Sequence, residues 1–208
     1  QWAGRLEVLC GIELGQPHLD PEVSKRFANC GDFDLVIGSL HDLKPGRDIY
    51  RDFAFDTVEE CDAVYRDFFD EARELVHRCD VDVFGHYDYP LRLMDKAGVA
   101  PNMERWKERM LPFLKDLAQS GIALELNTVG LRRWMGRPAG ESWILQAFRE
   151  YGGKRVTIGS DAHHSSHSPL FHCNYIVATY LELTDNDCTV NSALHYRCWE
   201  NEIFFIYS

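Results

Sequence analysis

Arg155-Val156-Thr157-Ile158-Gly159-Ser160-Asp161-Ala162-His163 begins as an apolar, β-branched run and ends on a carboxylate and an imidazole. Arg155 to Ile158 predicts a buried strand, because β-branched residues suit a pleated, enclosed surface. The polar pair then falls just past the strand's C-terminal end. Working outward from this stretch, the same arrangement recurs. Leu6 to Ile12 predicts a strand followed by Glu13. Phe33 to Ile37 predicts one followed by Gly38, Ser39, Leu40 and His41. Val81 to Phe84 predicts one followed by Gly85 and His86, and Ile122 to Leu126 one whose end carries Glu125 and Asn127.

Helical patterns separate these runs. His18 to Asn29 predicts a helix, and Thr57 to Cys79 a long one. In the long helix Cys61, Tyr65, Phe68, Phe69, Ala72, Leu75 and Val76 recur at helical period, and Thr57 with Glu60 has capping-box spacing. Asn102 is placed to cap a helix to Ser120 with Trp106, Met110, Phe113, Leu114 and Leu117 on one side. Pro112 is expected to kink or divide it, and Gly121 to end it. Ser142 to Tyr151 predicts a further helix. Strands alternating with helices predict an α/β fold with a parallel sheet. A barrel-like (β/α) arrangement is the first expectation and an open, doubly wound sheet the second. No G-x-G-x-x-G follows a strand, so a dinucleotide fold is not favoured.

The whole chain, residues 1–208, is expected to be one domain. At 45% hydrophobic and 26% charged residues it has enough apolar content for a substantial core. The tail from Ser165 to Ser208, rich in His, Cys, Tyr and Asn, fits the alternation less well, with one more strand expected at Ile203 to Ile206. The first residue is Gln, so the chain is expected to begin inside a longer reading frame or to have been processed. Neither a signal peptide nor a membrane-spanning run is read in it. The net charge of −11 argues against nucleic-acid binding, which draws on basic patches. Seven cysteines without a C-x-x-C pair point to free thiols in a reducing cytoplasm.

Chemistry concentrates at the strand ends. In (β/α) barrels these converge on one face, where functional residues sit. Imidazole and carboxylate together suit zinc, manganese or iron. Glu13, His41, His86, Asp161 and His163 are therefore candidate metal ligands. Gly38, Gly85 and Gly159 beside them are expected to let backbone and ions approach closely. His163 and His167 have i, i+4 spacing, but Pro169 and the surrounding serines favour a loop, so only His163 is kept. His77 is expected at the surface or the core edge, and His18, His172 and His195 have no supporting context. Arg132, shortly past a strand end, suits bidentate binding of a phosphate. Tyr87, Tyr89 and Trp134 are candidate pocket walls, with core packing the commoner use of such rings.

Five segments in this order, Gly11-Ile12-Glu13-Leu14-Gly15, Ile37-Gly38-Ser39-Leu40-His41, Phe84-Gly85-His86-Tyr87-Asp88, Leu124-Glu125-Leu126-Asn127-Thr128 and Ile158-Gly159-Ser160-Asp161-Ala162-His163, resemble successive motifs of the polymerase-and-histidinol-phosphatase (PHP) family. With the long helix between the second and third, they resemble its histidinol-phosphatase branch. The resemblance implies a distorted (β/α)7, TIM-like barrel with up to three divalent metals (zinc, manganese or iron) at the strand C-termini. It implies hydrolysis of a small phosphate ester, L-histidinol phosphate, by a metal-bound hydroxide in histidine biosynthesis. Glu13 would bridge two ions, His41 and His86 would share one with it, Asp161 would hold the second and His163 the third. Arg132 and Asn127 would meet the substrate, with Asp161 and Arg132 in catalytic roles. The family's opening strand with H-x-H is absent before Leu6, so the barrel is expected to lack its first strand. A phosphoesterase for another substrate, such as a nucleotide or sugar phosphate, and a truncated, silent metal-binding protein are the alternatives.

Overall fold

The structure, a computed structural model, describes residues 10–91, 94, 98–99, 103–130, 141–159 and 161, with the backbone of 197–198 and 201–206. Its strands are β1 (Gly11–Gly15), β2 (Leu35–Ser39), β3 (Asp42–Leu43), β4 (Arg47–Asp48), β5 (Val83–Phe84), β6 (Ala123–Asn127), β7 (Val156–Gly159), β8 (Arg197–Cys198) and β9 (Asn201–Ile206). Its α-helices are α1 (Pro21–Ala28), α2 (Val58–Arg78), α3 (Lys107–Ser120) and α4 (Ser142–Glu150).

One seven-stranded sheet runs β1-β2-β5-β6-β7-β9-β8. Every neighbouring pair is parallel except β8 with β9. Parallel neighbours need crossovers, and α1, α2, α3 and α4 supply those from β1 to β7. The α/β reading and the parallel sheet therefore hold. From β1 to β7 the strands of the sheet follow one another in chain order, as they would around a barrel, and the order reverses at β9-β8; among the described residues the sheet is not closed, with β1 and β8 at its edges. The strand expected in the tail is present as β9, paired with β7.

Two boundaries differ from expectation for physical reasons. β1 covers Gly11–Gly15, where Leu6–Ile12 was expected; of that range residues 6–9 lie outside the described residues. Its extent follows its ladder with β2, from Gly11 opposite Leu35 to Gly15 opposite Ser39. Glu13 is thus inside the strand, not after it. The helix expected from His18 starts at Pro21. Proline restricts the residue before it, and Asp20 (φ −142°) instead caps the helix, its Oδ1 accepting from Val23 N at 3.0 Å. Residues Pro17–Leu19 form a separate 3-10 turn.

α2 starts as expected: Thr57 Oγ1 accepts from Glu60 N at 3.1 Å. The Glu60 carboxylate reaches Ala54 N and Asp56 N, further back than a capping box requires. α3 runs undivided through Pro112, which corrects the expected break. Pro112 and Glu108, whose carbonyl lacks the proline's N–H, are both exposed, so water can serve that carbonyl. Gly121 ends α3 in the left-handed region at φ 80°. Asn102, the expected cap, lies outside the described residues.

The sheet's two faces differ. On one, Phe84 and Leu124 join a single large core with Tyr65, Phe68 and Phe69 of α2, Phe113 and Leu117 of α3, and Ile144 and Phe148 of α4. On the other, Ile37, Val83 and Ala123 form a small cluster in one row of the ladder. Glu13 stands in that row, opposite Ile37. Since side chains alternate along a strand, Ser39, Glu125 and Asn127 share this second face. The described cysteines Cys10, Cys30, Cys61 and Cys79 are free thiols. No helix among the described residues is long and apolar enough to cross a membrane.

Candidate metal centre

Three of the five expected ligands converge. Glu13 projects from the middle of edge strand β1, His41 lies two residues past β2, and His86 two residues past β5. Glu13 Oε1 is 3.2 Å from His86 Nε2 and 3.6 Å from His41 Nε2. One donor atom from each residue lies within 4.8 Å of the other two. Two ligands about 2.0–2.1 Å from a shared tetrahedral zinc stand about 3.3 Å apart, so both Glu13–His spacings suit a common ion.

The chemistry of the set fits as well. The bond from His86 holds the Glu13 carboxyl down to about 2, against the opposing effect of burial; Ser39 and the charge of His41 add to the lowering. Glu13 is therefore an anion at any physiological pH. Burial, and then the neighbouring His86, hold His41 below the usual imidazole value, against the pull of Glu13, Asp161 and Asp42. A neutral imidazole beside an anionic carboxylate is what a divalent cation requires. Exposure differs within the group: the His86 side chain is 6% exposed, Glu13 34% and His41 37%. The centre is thus a ledge with a buried back and an open front.

Neighbouring residues shape it. Ser39, fully buried, donates its hydroxyl to Glu13 Oε1 at 2.6 Å. Tyr89 sets its ring 5.2 Å from that of His41 and 5.1 Å from that of His86, while the two imidazoles are 4.9 Å apart. Tyr89 therefore packs against both candidate imidazoles, and Tyr87 is part of the core. Sequence reasoning missed Ser39 as a partner of Glu13. The signal available was its ladder position, one residue before Leu40-His41 and opposite Gly15.

Asp161 sits just beyond β7 with φ 48°, near enough to His41 for its charge to favour the imidazolium. Asn127 is buried at the end of β6, its Nδ2 donating to Glu125 Oε2 at 3.4 Å and its Oδ1 accepting from Val129 N at 2.9 Å. Arg132 and His163 lie outside the described residues, as do Trp134, His164, His167, His172 and His195. The glycines do not leave room for ions as expected. A Cβ on Gly159 would fall 1.8 Å from Glu125 Oε1, and on Gly38 and Gly85 it would meet Val81 and Ile37 side chains. Their space is taken by neighbouring side chains. His77 is exposed, 2.9 Å from Asp116. His18 is fully buried against Glu71 at 3.0 Å, a setting its sequence context did not suggest.

A sequence model of the PHP domain matches residues 2–129. A Thermotoga maritima protein named "Probable histidinol-phosphatase" is 37% identical over 106 residues, covering 51% of this chain and 43% of that protein. The histidinol-phosphatase of Lactococcus lactis is 25% identical over 167 residues, 78% of this chain and 60% of the relative. This chain thus spans between two fifths and three fifths of the lengths of these relatives. A crystal structure of histidinol phosphate phosphatase from Lactococcus lactis, complexed with zinc, L-histidinol and phosphate, superimposes with a TM-score of 0.68 at 24% identity. The match covers 87% of this chain and 68% of the other, and it concerns the fold.

Proposed function

Because this chain belongs to the PHP domain family, we propose that it is part of a metal-dependent phosphomonoesterase whose substrate is L-histidinol phosphate. The observation that carries this reading is the convergence of donor atoms within 4.8 Å from Glu13, in the middle of β1, and from His41 and His86, just past the C-terminal ends of the adjacent parallel strands β2 and β5. The relatives named as histidinol-phosphatases, and the related fold that binds zinc, L-histidinol and phosphate, support the choice of substrate and of zinc. Manganese or iron would suit the same ligands.

Glu13, His41 and His86 would hold one ion. Asp161 would serve a second on the other side of Glu13, and His163 a third. A bound divalent cation supplies Lewis acidity, lowering the pKa of coordinated water toward neutrality and offsetting charge on a phosphoryl group. The protein's own part is orientation. Ser39 fixes the Glu13 oxygen that both imidazoles approach, and Tyr89 holds their rings in place. Arg132 would steady the phosphoryl oxygens through paired N–H donors. Asn127 would need to add a substrate contact to the two protein bonds its amide already makes. The parallel strands, in chain order from β1 to β7, suit a distorted barrel, and we propose that architecture for the whole domain.

The test is phosphate release from L-histidinol phosphate, with nucleotide and sugar phosphates as competitors, before and after chelation. Release that stops on chelation and returns with zinc supports the reading. Preference for another ester would replace the substrate. Bound metal without turnover of any ester would leave the silent metal-binding protein.

A further inference from the structure

His86 is held in an uncommon conformation. Its φ of 24° lies in the left-handed region, where a side chain crowds the backbone. Something must hold it there. Its backbone N–H donates to Glu125 Oε2 at 2.5 Å, a bond from the end of β5 to the middle of β6. Its ring then reaches Glu13 Oε1 at 3.2 Å. Glu125 is itself buried, on the same sheet face as Glu13 and Ser39, and touches neither of them through any bond described above. Its carboxyl has space only because residue 159, on β7, has no side chain: a Cβ there would fall 1.8 Å from Glu125 Oε1 and 2.7 Å from the carboxyl carbon. Three adjacent strands thus form one chain of dependence, from the empty Cβ position of Gly159, through Glu125, to the backbone of His86 and its ring.

We propose that Glu125 is a positioning residue, whose carboxyl oxygen fixes the His86 backbone so that the imidazole faces Glu13 and His41, and that residue 159 is glycine to admit that carboxyl. The consequence for metal affinity rests on the metal-centre reading given above; the positioning itself does not. A buried carboxyl serving packing alone would lower thermal stability when removed, but would leave zinc affinity and the His86 amide unchanged.

The experiment compares the wild-type chain with Glu125→Ala, Glu125→Gln and Gly159→Ala. Zinc affinity is measured by titration, protection of the His86 amide by hydrogen exchange, and folding by thermal denaturation. Glu125→Gln keeps an acceptor oxygen and is expected to retain the protected amide and zinc affinity within about threefold. Glu125→Ala is expected to lose the protection and about 10–100-fold in affinity, the usual effect of removing a group that orients a ligand. Gly159→Ala, which displaces the same carboxyl from a different strand, is expected to do the same. Glu125→Ala binding zinc as wild type does, or Glu125→Gln failing as badly as Glu125→Ala, overturns the proposal. If wild type binds no zinc, the metal-centre reading falls. The positioning role then stands if the amide is protected in wild type and exposed in Glu125→Ala, and falls if it is not.

Discussion

The two faces of the sheet are built from alternate residues of the same strands, yet they do different work. One face sends Phe84 and Leu124 into the core shared with α2, α3 and α4. The other carries Ile37, Val83 and Ala123 in one row, with Glu13 beside them, Glu125 in the middle of β6, and Ser39 and Asn127 at the ends of their strands. Stability resides on the first face because apolar area leaves water there. The candidate metal centre lies on the second, where Ser39 and His86 hold Glu13 and the His86 N–H holds the buried Glu125. A single step along a strand separates the two roles, so substitutions on opposite faces should separate cleanly.

The largest expected effect is on the helical face. Phe113, fully buried with its ring 4.8 Å from that of Phe84, should cost about 3–5 kcal/mol of stability when changed to Ala. Denaturant unfolding measures this, and zinc affinity of the folded protein should stay near wild type. On the other face His86→Ala should weaken zinc binding by more than about 100-fold, beyond what loss of an orienting group costs, with a smaller loss of stability than Phe113→Ala. Equal losses of stability and metal in both variants would break the comparison. Ser39→Ala removes the 2.6 Å bond to Glu13 and should cost about 1 kcal/mol of stability, together with a drop of about 10-fold in zinc affinity.

The smallest effect is a pH dependence. Burial and His86 hold the His41 pKa below its usual value of 6.5. The unfolded chain therefore takes up the proton first, and stability of the metal-free protein should fall as pH drops through and below 6.5. The Glu13 carboxyl, held down to about 2, adds a second loss in the same direction between pH 4.5 and 2. His41→Asn should flatten the upper part of this profile in thermal denaturation scans and leave the lower part.

Much of this was legible in the residues themselves. The α/β class followed from strand and helix periods, and α2 from an apolar stripe running from Cys61 to Val76 beneath a Thr57 cap. The candidate ligands Glu13, His41 and His86 were legible because Glu and His recur in or after apolar runs, a pattern that local sequence displays. His18 was not legible. Its burial against Glu71, 53 positions away, depends on how the turn at Pro17–Leu19 meets α2. Pro112 misled because a local rule gives its cost, whereas its exposure decides whether water can offset that cost.

The residues alone determined which runs form strands and helices and which polar side chains stand in or just past them, because strand and helix periods are local properties of the chain. Tertiary structure alone decided the register that places Glu13 inside β1 and opposite Ile37, and the convergence of the His41 and His86 imidazoles on Glu13 Oε1. It also decided that the space beside Gly159 belongs to Glu125. These depend on distances between strands far apart in sequence, which packing sets and no local pattern encodes.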